Sequence, residues 1–115
     1  MVGAGTAMIV GEIMTNNEKL QQVEIKSIFE PFYNGKVVKF GMYELEIAAV
    51  KIIEMCQKSG DIYLTFCADD FVGSTYLTGF YLLKRYGWLD NMGNEAYCAN
   101  ELFWGRIFHE GEDKK

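Results

Sequence analysis

Two adjacent carboxylates, Asp69 and Asp70, follow Cys67 and Ala68 at the end of a β-favouring run, Ile62-Tyr63-Leu64-Thr65-Phe66-Cys67. In open α/β sheets, sites form beyond the carboxyl ends of strands. There a carboxylate pair would hold a hard cation, or one member would act as a base. A small ligand site would then centre on Cys67, Asp69, Asp70 and Thr75. The competing expectation is that one aspartate caps the following helix while the other is solvated. Neighbouring side chains on a loop need not converge, and the spacing supplies no third ligand. His109 is the only histidine; nothing in its spacing from Cys67 or Cys98 favours a nucleophile–base pair. Three widely spaced cysteines, Cys56, Cys67 and Cys98, lack the CxxC or Cys/His pattern of a zinc site. They read as reduced thiols of an intracellular protein. Gly3-Ala4-Gly5 opens like a dinucleotide loop, but Met8 stands where the third glycine belongs and no strand precedes it. Phosphate-loop, nucleophile-elbow and zinc-protease motifs are absent. No catalytic set assembles, and the expectation is no enzyme, no metal and no cofactor.

What remains is a surface. Tyr81, Tyr86, Trp88, Tyr97, Phe103, Trp104 and Phe108 crowd the last third of the chain. Most are expected in the core, but Trp88 and Trp104 have polar and glycine-rich neighbours and would suit anchors for a protein partner. The formal net charge is −5, from 16 acidic and 11 basic residues. The only close basic runs are Lys84-Arg85 and Lys114-Lys115, which disfavours direct nucleic-acid binding. An acidic surface fits a basic partner, although the same charge would simply keep a small domain soluble. The stretch from Met1 to Met14 is apolar but contains Glu12 and no basic leader, so it is expected neither to span a bilayer nor to act as a signal peptide.

These residues need elements to position them. With 115 residues, half of them hydrophobic, one domain over residues 1–115 is expected. Leu45, Ala48, Ala49, Ile52, Met55 and Cys56 keep helical spacing and predict a helix over 42–58, stopped by Gly60. Ile47, Val50 and Ile53 extend its apolar surface around much of the circumference. Residues 62–67 predict a central strand, and Val72, Tyr76, Phe80 and Leu83 a second helix over 71–86 ended by Gly87. Asn34-Gly35 marks a two-residue hairpin, setting Glu30 opposite Lys39 and Phe29 opposite Phe40, with Pro31 on an edge strand. Thr15-Asn16-Asn17-Glu18 matches a capping box, yet strands are favoured before residue 42, with a first strand near 6–14. Asn94 would cap a last helix reaching Phe108. Lys36 to Cys67 has the length of a right-handed βαβ unit. The expected class is α+β (or α/β): a small, mainly antiparallel or mixed sheet with an N-terminal hairpin, packed against about three helices.

The run from Thr65 to Thr75, Thr-Phe-Cys-Ala-Asp-Asp-Phe-Val-Gly-Ser-Thr, resembles the central motif of STAS domains, the anti-sigma-factor antagonists. In that family a hydrophobic strand leads through a short loop to a serine or threonine that opens a helix. Leu77, Leu82 and Leu83 continue the apolar helical pattern, and Gly87 ends it. The resemblance covers residues 61–87 and implies Ser74 or Thr75 as a phosphoacceptor gating a protein contact. Gly73 replaces the usual aspartate, Tyr76 the usual glycine, and the Trp-rich end differs from the family.

The expectation that follows is a non-enzymatic, cytoplasmic protein-binding or regulatory module, an inhibitor or adaptor. Its contact residues would come from Asp69, Asp70, Ser74, Thr75, Trp88 and Trp104. Its partner would be another protein with a basic surface, or a second copy, without membrane or direct nucleic-acid contact. The alternatives are a small enzyme or ligand-binding domain at the end of residues 62–67, and a structural subunit of a larger assembly.

Overall fold

The computed structural model describes residues 14–27 and 30–109; the strand expected near 6–14 lies almost entirely outside them. The class is α+β. Among the described residues, four helices pack with a three-stranded and a two-stranded antiparallel sheet.

Helix α1 (Asn16–Gln21) starts where the capping box indicated. Thr15 Oγ1 accepts the Glu18 amide at 3.1 Å, and Glu18 Oε1 accepts the Thr15 amide at 2.9 Å. Six residues complete few helical bonds of their own. Burial of Leu20 and bonds from Gln57 hold the helix: Gln57 Nε2 donates to the Leu20 and Val23 carbonyls at 3.0 and 2.8 Å. Strands β1 (Glu24–Ile25), β2 (Pro31–Tyr33) and β3 (Lys36–Val37) follow, so helix and strands share a region for which the sequence offered both. The hairpin turns at Asn34 and Gly35, with φ of 54° and 75°, as a type I′ turn requires. Its register, Tyr33 with Lys36 and Phe32 with Val37, continues to the expected Glu30–Lys39 ion pair at 3.9 Å; Phe29 lies outside the described residues. One expectation fails. Pro31 is on the central strand, because β1 pairs along its other side. It is tolerated as the first residue of β2, where its carbonyl accepts the Val38 amide at 2.9 Å.

Helix α2 (Tyr43–Ser59) is buried around most of its circumference, from Leu45 to Cys56. Its N-cap Met42 has no side-chain cap. Glu46 Oε2 instead accepts the Phe40 and Gly41 amides, both at 3.3 Å. Gly60 ends the helix in the left-handed conformation, its amide reaching the Cys56 carbonyl at 2.8 Å.

The strand expected over 62–67 does not form. Asp61 opens a turn, its Oδ1 accepting the Tyr63 amide at 2.8 Å, while Asn17 Oδ1 takes the Ile62 amide at 2.9 Å. Only Phe66 bridges to another strand residue, antiparallel to Tyr97. No parallel βαβ unit can arise, because this segment serves to bury Ile62 and Phe66 rather than to join a ladder. Residues Ala68–Asp70 form a 3-10 turn, and helix α3 (Ser74–Arg85) begins three residues later than expected.

The last expected helix is two elements. β4 (Leu89–Gly93) and β5 (Ala96–Ala99) make a hairpin through Asn94 and Glu95, both with positive φ. Asn94 therefore turns a hairpin. The cap of α4 (Glu101–Phe108) is Asn100, whose Oδ1 accepts the Leu102 and Phe103 amides at 3.0 and 3.3 Å. Buried residues from α1, the sheet region, α2, α3, the second hairpin and α4 join one hydrophobic cluster. Among the described residues, no helix is long and apolar enough to cross a membrane.

Gly79 sets the spacing of α3 on α2. A Cβ there would collide with the Glu44 carbonyl and stand 2.7 Å from the Ala48 Cβ. Overpacking a rigid backbone contact costs about 1–3 kcal/mol, more than the roughly 1 kcal/mol of helix propensity that alanine adds. Gly79→Ala is therefore expected to lower the urea midpoint. Gly105→Ala, in α4 with open space around the new methyl, is expected to raise stability by roughly 0.5–1 kcal/mol in the same assay.

Candidate functional site

The sequence-derived contact residues fall into two separate places. Asp69 and Asp70 lie exposed on the 3-10 turn, where Asp70 Oδ2 accepts the Cys67 amide at 2.9 Å. Asp70 thus caps this turn and not helix α3, whose N-cap Gly73 has φ 106° and offers no side chain. Ser74 opens α3 exposed to solvent, and Thr75 beside it is half-buried. Asp70 borders a shallow cavity of about 340 Å³ shared with Met55, Lys58 and Phe66. Among the described residues, no three His, Cys, Asp or Glu side chains are placed to hold a metal ion. His109 ends α4 in the left-handed conformation at φ 57°. The prominent feature of the loop is Val72, 82% exposed between buried Phe71 and Gly73.

Trp88 and Trp104 are mainly packing residues. Trp88 is half-buried, edge-on to Phe40 with centroids 5.0 Å apart. Trp104 is only 4% exposed, stacked on Phe108 at 5.6 Å and edge-on to Phe103 at 4.9 Å. Its indole Nε1–H is buried and has no acceptor among the described residues.

Trp104 also lines an open groove of about 1050 Å³. Four segments line the groove: the start of α1 with Asn16, the turn with Ile62 and Tyr63, the hairpin with Asp90, Met92 and Cys98, and α4 with Glu101, Leu102 and Trp104. Hairpin geometry explains why it stands open. Asp90 and Cys98 are register partners and both face the groove. The next pair, Asn91 and Tyr97, points to the opposite side, where Tyr97 meets Phe80 at 5.5 Å and the Lys84 ammonium at 4.7 Å. One face of the hairpin is thus covered by α3, and the other forms the groove wall. Asn100 fixes the angle between wall and helix. While its Oδ1 caps α4, its Nδ2 donates to the Gly87 carbonyl at 2.8 Å and to Asp90 Oδ1 at 3.1 Å.

The groove rim carries large apolar groups in water. Met92 is 58% exposed, Leu102 62% and Tyr63 65%. Met92 is also the extra residue of a β-bulge between Asn91 and Gly93, a distortion that re-aims side chains. Sequence reasoning missed Met92, Leu102, Tyr63, Asp90 and Glu101. The usable signal was Gly93-Asn94-Glu95, a turn at the point where the last helix was expected to begin.

Burial governs the nearby thiols. It pushes the Cys56 thiol up to about 12, helped by Cys98 and Asp61 and opposed by a backbone hydrogen bond from Leu64. Burial, then Asp90 and Asp61, also push Cys98 up from 9.0. Below pH 9 both states keep these thiols neutral. Above it, the unfolded Cys56 thiol ionises while the folded one stays protonated, so stability falls as pH rises towards 12, by on the order of 1 kcal/mol per pH unit. Urea unfolding at pH 8 and about pH 10.5 is expected to show this loss, with a shallower loss in Cys56→Ala.

Comparison with protein-family models, with curated proteins and with solved structures gives no match for this chain.

Proposed function

We propose that the chain is a non-enzymatic module that binds another protein through the groove between α4 and the β4–β5 hairpin. The observation that carries this reading is the exposure of Met92 and Leu102 on a groove that Trp104 and Phe108 also line. Isolated exposed apolar residues are ordinary on protein surfaces, whereas apolar groups clustered on the rim of a concavity are a mark of interaction sites. Trp104 forms the rigid floor of such a site and Leu102 its accessible edge. A regulatory role, as an inhibitor or adaptor, goes with a contact surface that has no catalytic set beside it. The three cysteines are unpaired, which supports placement in a reducing compartment such as the cytoplasm.

A second contact surface is supported by Val72, which projects from the loop between the turn carrying Asp69 and Asp70 and the start of α3 at Ser74 and Thr75. Replacing either tryptophan by alanine would not separate the two surfaces, because deleting a packed indole costs about 3–5 kcal/mol. Exposed positions do separate them. Affinity capture with tagged wild-type protein, Leu102→Arg and Val72→Arg is expected to recover one stoichiometric partner on wild type and on Val72→Arg. Leu102→Arg should lose it, with circular dichroism unchanged; for a hot-spot residue the loss is roughly tenfold or more. A partner lost only on Val72→Arg moves the interface to the loop. A partner retained on both variants, or none on wild type, removes the reading.

A further inference from the structure

We infer that the groove takes an apolar segment of another protein flanked by a lysine or arginine. This rests on the groove being the binding face, and it adds the chemistry of the occupant.

Charge complementarity is the first support. Asp90 and Glu101 both line the groove, and neither has an ion-pair partner among the described residues. Asp90 receives one neutral hydrogen bond, from Asn100, which leaves its charge uncompensated. Arg106 is the only basic residue in the lining among the described residues, and it is held elsewhere. Its Nε donates to the Lys39 carbonyl at 2.6 Å, and its guanidinium stands 5.5 Å from the centre of the Phe40 ring. The groove therefore combines apolar lining residues with two carboxylates that no cation pairs among the described residues. A cation placed there gains attraction without displacing an existing pair, and an acidic segment is repelled.

The second support is independent of charge. Trp104 lines the groove, and its indole Nε1–H is buried without an acceptor among the described residues. A buried donor left unsatisfied costs about 1–3 kcal/mol. A peptide offers the missing acceptor in a backbone carbonyl. A purely hydrocarbon ligand does not, and would leave the donor unsatisfied.

Random peptides displayed on phage are the probe, selected on the full chain; the most enriched peptide is then synthesised and titrated by fluorescence anisotropy. The expected result is a peptide combining bulky apolar residues with lysine or arginine. It should bind Asp90→Asn/Glu101→Gln roughly tenfold more weakly, lose affinity with added salt, and fail to bind Leu102→Arg. Asparagine at 90 keeps the acceptor for Asn100, so the double variant retains the cap of α4. The Trp104 indole N–H resonance, assigned with Trp88→Phe, should shift on addition of the peptide. A peptide that fails on Leu102→Arg but ignores the charge variants overturns the basic occupant and leaves the groove as the binding face. One that binds Leu102→Arg as well as wild type, or no enriched peptide at all, overturns both. Displacement of the peptide by a synthetic copy of residues 1–13 overturns the inference in favour of the chain's own N-terminal segment. Self-association abolished by Leu102→Arg overturns it in favour of a second copy.

Discussion

The closeness of α3 to α2 is the constraint on which the rest of the molecule depends. Gly79 lies against the Glu44 carbonyl and Ala48, where no side chain fits. That approach drives Phe80 and Leu83 into the core, where they are 1% and 0% exposed. Phe80 in turn carries Tyr97 and Phe66 on its ring edges, and these two residues make the only bridge between the 61–67 segment and β5 among the described residues. A two-stranded hairpin is marginal by itself. This one is stable because one of its faces is seated on α3, and its orientation is inherited from a glycine on another element.

The groove is the other side of the same arrangement. Once α3 covers the Tyr97 face, the Asp90–Cys98 face must look outward, and α4 is the next element able to border it. Asn100 joins hairpin to helix with four hydrogen bonds. Wall and floor are thereby held at a fixed angle before any partner arrives, which reduces the ordering a complex would require.

Local chemistry made some of this legible from sequence. Asn34-Gly35 specifies a type I′ turn, and the turn fixes the register down to Glu30 and Lys39. Helix α2 announces itself by spacing and by Gly60. The capping box at Thr15 and Glu18 is real, but the helix it starts is short, so the same region also had room for strands. The failures share a cause. Ile62 to Cys67 has strand composition, yet an aspartate turn and Asn17 claim its first amides, and burial of Ile62 and Phe66 alone accounts for its apolar residues. Asn94-Glu95 adopts the backbone of Asn-Gly without the glycine, so the second hairpin was hidden inside an apolar run that continued into α4. The aspartate pair sits where a helix cap belongs, yet Asp70 closes a tighter turn just before the helix. The groove was not legible at all. Its walls come from segments about 40 residues apart, joined by the packing of α3, and no local pattern records that packing.

Gln57 carries a consequence for local opening. Its side-chain amide binds the carbonyls at the end of α1, and its own carbonyl accepts Gln21 Nε2 at 3.1 Å. Six residues cannot nucleate a lasting helix, so α1 has no independent lifetime and persists only where α2 already presents Gln57. The N-terminal end of the described fold is thus expected to open more readily than α2. Amide hydrogen exchange across Lys19 to Val23 would report the docking of this unit, while the amides of α2 report the molecule as a whole.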